Sequence, residues 1–219
     1  MRVVIAGGHG KIALRLERLL AKRGGRVVGL VRNPAHAADL EARGAESVLC
    51  DLENADMGRV AEILKDADAA VFAAGAGPGS GVARKYTVDR GASVLLAEAA
   101  ERAGVRRFVQ ISSMGAGQPP PAGSDEVWTA YITAKTEAED DLRARDLDWT
   151  IVRPGMLTDD PGTGLVRLAE PPVARGQVPR DDVAAVVAAL LGAPGTAGRT
   201  LELVSGEVPI SAAVHVLVD

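Results

Sequence analysis

The chain has 219 residues, of which 25 are Lys or Arg and 29 are Asp or Glu, a formal net charge of −4 at pH 7. Neither sign gathers into a long run, which argues against nucleic acid and membrane surfaces as partners and for a small-molecule substrate. Hydrophobic residues make up 47% of the chain, enough for one sizeable core, so a single domain over 1–219 is expected. The lone cysteine, Cys50, excludes an intrachain disulfide and reads as a buried thiol. No stretch reaches the roughly 18 apolar residues of a membrane span, and a cytoplasmic location is expected. Composition leaves oligomeric state open.

The first apolar run, 2–6, predicts a strand that turns through Gly7-Gly8-His9-Gly10-Lys11-Ile12-Ala13 into a helix over 10–23. That placement is what a dinucleotide loop requires. Gly7 permits the tight turn, Gly10 lets the backbone approach a pyrophosphate, and the small Ala13 lets helix and strand pack closely. The free loop amides and the positive helix end attract phosphates. Gly7, Gly8, His9, Gly10, Lys11 and Ile12 are therefore cofactor candidates, with His9 either touching phosphate or facing solvent.

The second strand, 26–31, ends in Arg32, about 20 residues past the loop, where an NAD site carries an acid for the ribose hydroxyls. A guanidinium there can hold a 2′-phosphate, so NADP is expected over NAD; the other reading of Arg32 is a solvated surface arginine. A helix over 35–43 leads to the third strand, 46–50, and then to Asp51 and Leu52. Asp51 either accepts the adenine amino group or forms a turn. A helix over 56–65, a strand over 68–73 and a helix over 82–103 follow.

The fifth strand, 106–111, ends in Ser112-Ser113, and a helix over 127–146 carries Tyr131 and Lys135 at i and i+4, on one face. An ammonium beside a phenol favours its ionised form, and a serine opposite can hold a substrate carbonyl for proton transfer. After the sixth strand, 148–153, Gly and Pro dominate 155–180; a helix over 181–192 with Asp181 as N-cap and a strand near 200–204 complete the chain. The alternation predicts an α/β fold, a Rossmann doubly wound parallel sheet with helices on both faces, in which 155–219 forms a small substrate-side cap. Trp128 and Trp149 read as core residues, although Trp128, one turn before Tyr131, is placed to line a substrate mouth. His36 and His215 lack a ligand pattern, so no metal is expected.

At these residues the chain resembles the short-chain dehydrogenase/reductase superfamily, in its atypical branch of NAD-dependent epimerase/dehydratase-like and NAD(P)-binding NmrA-like proteins. The resemblance rests on Gly7-x-x-Gly10-x-x-Ala13, Ala73-Ala74-Gly75, Ser112-Ser113, Tyr131-x-x-x-Lys135 and Thr150-Ile151-Val152-Arg153-Pro154-Gly155. It implies that Tyr131 is the general acid/base, that Lys135 holds the nicotinamide ribose and tunes Tyr131, and that Ser113 orients the substrate oxygen. It further implies that Ser112 supports the cofactor, that Pro154 and Gly155 lie beside the nicotinamide, and that Ala74 and Gly75 pass under the adenosine half. Asp89 departs from the pattern, standing where many relatives have Asn, and the tail after Gly155 is short for a nucleotide-sugar pocket.

The expected function is an NADP(H)-binding oxidoreductase or epimerase acting on a small carbonyl or alcohol. Two alternatives stand beside it: a non-catalytic NmrA-like redox sensor, and a flavin or quinone reductase. Specificity is expected in loops 76–84, 114–127 and 155–180, which carry no readable substrate pattern.

Overall fold

The computed structural model describes every residue except Pro78, Pro121 and Asp219, so part of the expected loops at 76–84 and 114–127 lies outside the described residues. β1 (Arg2–Ala6), β2 (Arg26–Val31), β3 (Ala45–Leu49), β4 (Ala69–Phe72), β5 (Arg107–Ile111) and β6 (Asp148–Pro154) lie side by side in the order 3-2-1-4-5-6. Every neighbouring pair among them is parallel. This is the Rossmann order, and it reverses between β1 and β4, where a crevice opens at the carboxyl ends of the strands.

Alternation along β1 divides the core. Val3 and Ile5 join one buried cluster with Leu16 and Leu20 of α1 (Lys11–Lys22). Val4 and Ala6 join another with Leu64 of α3 (Met57–Leu64) and Leu96 of α5 (Ser93–Ala103). The central strands β1, β2 and β4 are largely apolar on both faces because helices cover both. Asp56 caps α3 by accepting the Arg59 amide at 2.9 Å, and Gly104 ends α5 in the left-handed conformation.

The tail extends the sheet. β10 (Arg199–Ser205) continues the sheet parallel to β6, and β8 (Leu165–Ala169) and β11 (Val208–Pro209) add antiparallel strands, making nine in all among the described residues. β7 (Met156–Thr158) and β9 (Gln177–Pro179) form a separate parallel pair. α8 (Ile210–His215) adds Ala213 and Val214 to the same cluster as α1. Glycines and prolines around β8 hide its short alternation of buried Val166 and Leu168.

Three local expectations are corrected. α7 (Arg180–Leu190) starts one residue early with Pro179 at its N-cap, so Asp181 is a first-turn acid and not the cap; its Oδ1 accepts from Arg15 Nε at 2.7 Å. The expected helix 82–103 is three pieces: α4 (Gly81–Arg84), a π-helical stretch (Lys85–Ala92) and α5. The expected helix 35–43 is a 3-10 turn (Pro34–His36) followed by the short α2 (Ala37–Glu41).

Candidate active site

Two hollows lie along the carboxyl ends of the strands and share Gly10, Ala73, Ala74 and Gly75 as common wall. The first is narrow and bordered by Gly7, His9, Arg32, His36, Asp51, Leu52, Glu53 and Arg84. The second is a cavity of about 880 Å³ that contains Ser112, Ser113, Tyr131, Lys135, Pro154 and Gly155. Residues expected from seven separate stretches of sequence thus meet in one continuous cleft.

The glycine loop is built for close approach. A Cβ on Gly7, whose φ is +77°, would lie 2.7 Å from Ala74 Cα, and one on Gly8 would lie 2.8 Å from Gly29 Cα. Gly8 is absent from both linings, so its part is packing β2 against the loop. A Cβ on Gly10 would stand 3.0 Å from Gly7 O, on the wall shared by the hollows. The first turn of α1 holds no acidic residue, leaving its amides and dipole unopposed toward an anion. Ile12 lines the larger cavity, while the Lys11 side chain turns away to Asp159 Oδ2 at 2.6 Å.

The narrow hollow holds charges that sequence did not connect. Glu53 lies between two guanidiniums, with Arg32 Nη1 at 3.2 Å and Arg84 Nη2 at 2.5 Å from its Oε2. The Arg84 hydrogen bond holds the Glu53 carboxyl below its ordinary range against the opposing effect of burial. His9 stacks on His36 with ring centroids 3.6 Å apart and places Nε2 2.8 Å from Asp39 Oδ2, a bond that pulls the Asp39 carboxyl down. Asp51 serves a turn: its oxygens accept from the Glu53 amide and from Asn54 Nδ2. Cys50 is buried as expected, and burial pushes its thiol up.

In the larger cavity, α6 (Glu126–Arg143) carries Tyr131 and Lys135, and Asp125 caps it by accepting the Trp128 amide at 2.8 Å. The Trp128 ring tilts over Tyr131 with centroids 5.5 Å apart and lines the cavity, exposed, so the core reading of Trp128 does not hold. Trp149 packs against the core as expected. Lys135 Nζ lies 3.2 Å from Asp89 Oδ1, both side chains almost fully buried; the charges attract, but the angle falls short of a hydrogen bond. Ser112 Oγ is buried without a partner, and the Tyr131 hydroxyl makes no hydrogen bond among the described residues. Sequence reasoning missed Arg84, Glu53 and Lys85; Asp89 was noticed only as a departure. No group of His, Cys, Asp and Glu suited to a metal occurs among the described residues, and no helix there is long and apolar enough to cross a membrane.

These features fit a nicotinamide dinucleotide: glycine backbone that a Cβ would crowd, an unopposed helix N-terminus, and an orphaned hydroxyl facing the wider end. Known proteins point the same way. Residues 7–194 match the model of the NAD(P)H-binding family. The chain is 36% identical to the uncharacterized sugar epimerase YhfK of Bacillus subtilis (strain 168) over 218 residues, 99% of this chain and 100% of that one. A solved Bacillus halodurans protein, named provisionally as an NAD-dependent epimerase/dehydratase, superposes with a TM-score of 0.90 at 34% identity, over 98% of this chain and 99% of that one. ChuY, an anaerobilin reductase from Escherichia coli O157:H7, gives a TM-score of 0.78 at 26% identity over 94% and 97% of the two chains. The glycine loop, the Rossmann strand order and the match over most of its length place this chain in the NAD(P)H-binding family, to which it belongs.

Proposed function

We propose that this protein is an NADP(H)-dependent oxidoreductase or epimerase for a small carbonyl or alcohol, acting as one Rossmann domain whose residues 155–219 supply the substrate side. The observation that carries the reading is that Ser113, Tyr131 and Lys135 line one cavity, continuous through Ala73, Ala74 and Gly75 with a hollow that ends at Arg32. The nicotinamide, when bound, supplies or accepts hydride. Ser113 orients the substrate oxygen, and Tyr131 gives or takes the proton at that oxygen. Lys135 holds the nicotinamide ribose, Ser112 supports the same end, and Pro154 and Gly155 form the wall beside the ring. Gly7, His9 and Gly10, with the amides of Lys11 and Ile12, hold the diphosphate; Asp51 and Leu52 border the adenine.

Arg32, with Arg84 beside it, supports NADP over NAD, since two guanidiniums meet at a single carboxylate that a 2′-phosphate can replace. Following NADPH consumption against aldehydes, ketones, quinones and flavins tests the reading. Turnover of a carbonyl compound is expected. Tight NADPH binding with no turnover across the panel would instead identify a redox sensor.

A second reading, reduction of a flat conjugated acceptor without a tyrosine proton, draws on the exposed apolar rim and on the likeness to ChuY. Trp128 is 38% exposed and Met156 67% exposed at that rim. Turnover confined to quinones or flavins, and insensitive to Tyr131→Phe, would favour it.

A further inference from the structure

Tyr131 has two ammonium groups near its ring, Lys85 Nζ at 5.6 Å and Lys135 Nζ at 5.8 Å from the centroid. Their electrostatic settings differ. Lys135 has the Asp89 carboxylate 3.2 Å away, and the two side chains are 4% and 1% exposed, so seen from the phenol the pair is close to neutral. Lys85 is also buried, yet it has no carboxylate within ion-pair distance among the described residues. Its hydrogen bonds go to the neutral acceptors Gly77 O at 2.9 Å and Ser80 Oγ at 3.1 Å.

The π-helical stretch brings this about. Lys85 opens it and Asp89 follows four residues later, yet Asp89 turns toward Lys135 and accepts the Ala76 amide at 3.1 Å. Such stretches recur at functional sites because the added residue re-aims side chains. The other charged groups lining the cavity are Asp125, Arg175 and Arg180. Asp125 caps α6, Arg180 pairs with Asp159 at 2.9 Å, and Arg175 stands on the exposed loop before β9.

We propose that Lys85 is a positioning residue for Tyr131, supplying the net positive charge that stabilises the phenolate, because Asp89 neutralises Lys135. The inference rests on the acid/base reading of Tyr131, but its test requires no turnover. The chain contains two tyrosines, and Tyr86→Phe leaves Tyr131 as the only phenol. The pH at which the ultraviolet phenolate band appears then reports Tyr131 directly, with circular dichroism at each pH to confirm the fold.

In that background Lys85→Met should move the band to higher pH, because a positive charge 5.6 Å from the ring centroid is removed. Lys85→Arg should restore most of the difference. Asp89→Asn should move the band down, since it unmasks Lys135, and this variant serves also if Lys85→Met does not fold. A folded Lys85→Met variant with an unmoved band would overturn the proposal. So would an unmoved band in Asp89→Asn. A band that moves as expected in a protein that turns over no carbonyl would leave the electrostatic assignment standing while the oxidoreductase reading fails.

Discussion

Glu17 sits on the inner face of α1, fully buried, with neither carboxyl oxygen hydrogen-bonded among the described residues. It fits only because β2 has a glycine opposite: a Cβ on Gly29 would lie 2.6 Å from Glu17 Oε1 and 2.4 Å from Leu40 Cδ2. Burial raises the carboxyl from 4.5 to about 8, and the positive charge of Arg43 only partly opposes this. The folded state therefore holds the proton more tightly than the unfolded chain. The stability from this site is fully present below about pH 4.5 and is lost as pH rises toward about 8.

Replacement by the neutral Glu17→Gln removes the titration while keeping the shape. At about 1.4 kcal/mol per unit, the stability of the variant relative to the parent should rise by about 3–4 kcal/mol between roughly pH 5 and pH 8. Any constant offset from the amide's own unmet hydrogen bonds cancels in that difference. Denaturant unfolding of both proteins at the two pH values measures it. If the stability difference stayed constant within about 0.5 kcal/mol, the carboxyl would not be held neutral in the fold, and the reasoning from burial would be wrong.

Three further outcomes test the site. Tyr131→Phe should keep NADPH affinity while lowering turnover of the carbonyl substrate by roughly 10²–10⁴-fold, the range for a placed proton donor, as read by steady-state kinetics. Arg32→Ala should narrow the NADPH-over-NADH affinity ratio by about 1.5–3 kcal/mol in fluorescence titrations, the worth of a hydrogen bond to a charged group, and an unchanged ratio would remove Arg32 from the 2′-phosphate. Gly10→Val should abolish cofactor binding by calorimetry while circular dichroism reports a folded chain. Its Cβ stands on the wall shared by the two hollows, and the nearest atom in its way, Gly7 O at 3.0 Å, needs to yield by only a few tenths of an ångström.

The six Rossmann strands were legible because each signal is local. Runs such as Val3-Val4-Ile5 and Phe108-Val109-Gln110-Ile111, apolar on both faces and ended by Gly, Ser or Pro, have few alternatives to a strand buried under helices. The glycine loop and the Tyr131–Lys135 pair are equally local, one set by the strand-to-helix turn and the other by helical period. Tertiary structure alone decided the rest. β8 exists as a strand because β10 offers it an edge, and β11 because β8 offers the next one; the short sequences around 165 and 208 lack the length to declare it. Arg32, Glu53 and Arg84 meet because β2, the turn after β3 and α4 all end at one side of the switch point, at separations of 21 and 31 residues that no periodicity encodes. The neutralising of Lys135 by Asp89, and the unpaired charge this leaves to Lys85, follows from a π-helical stretch packed against α6; sequence supplied the three residues, and only the packing set which two of them pair.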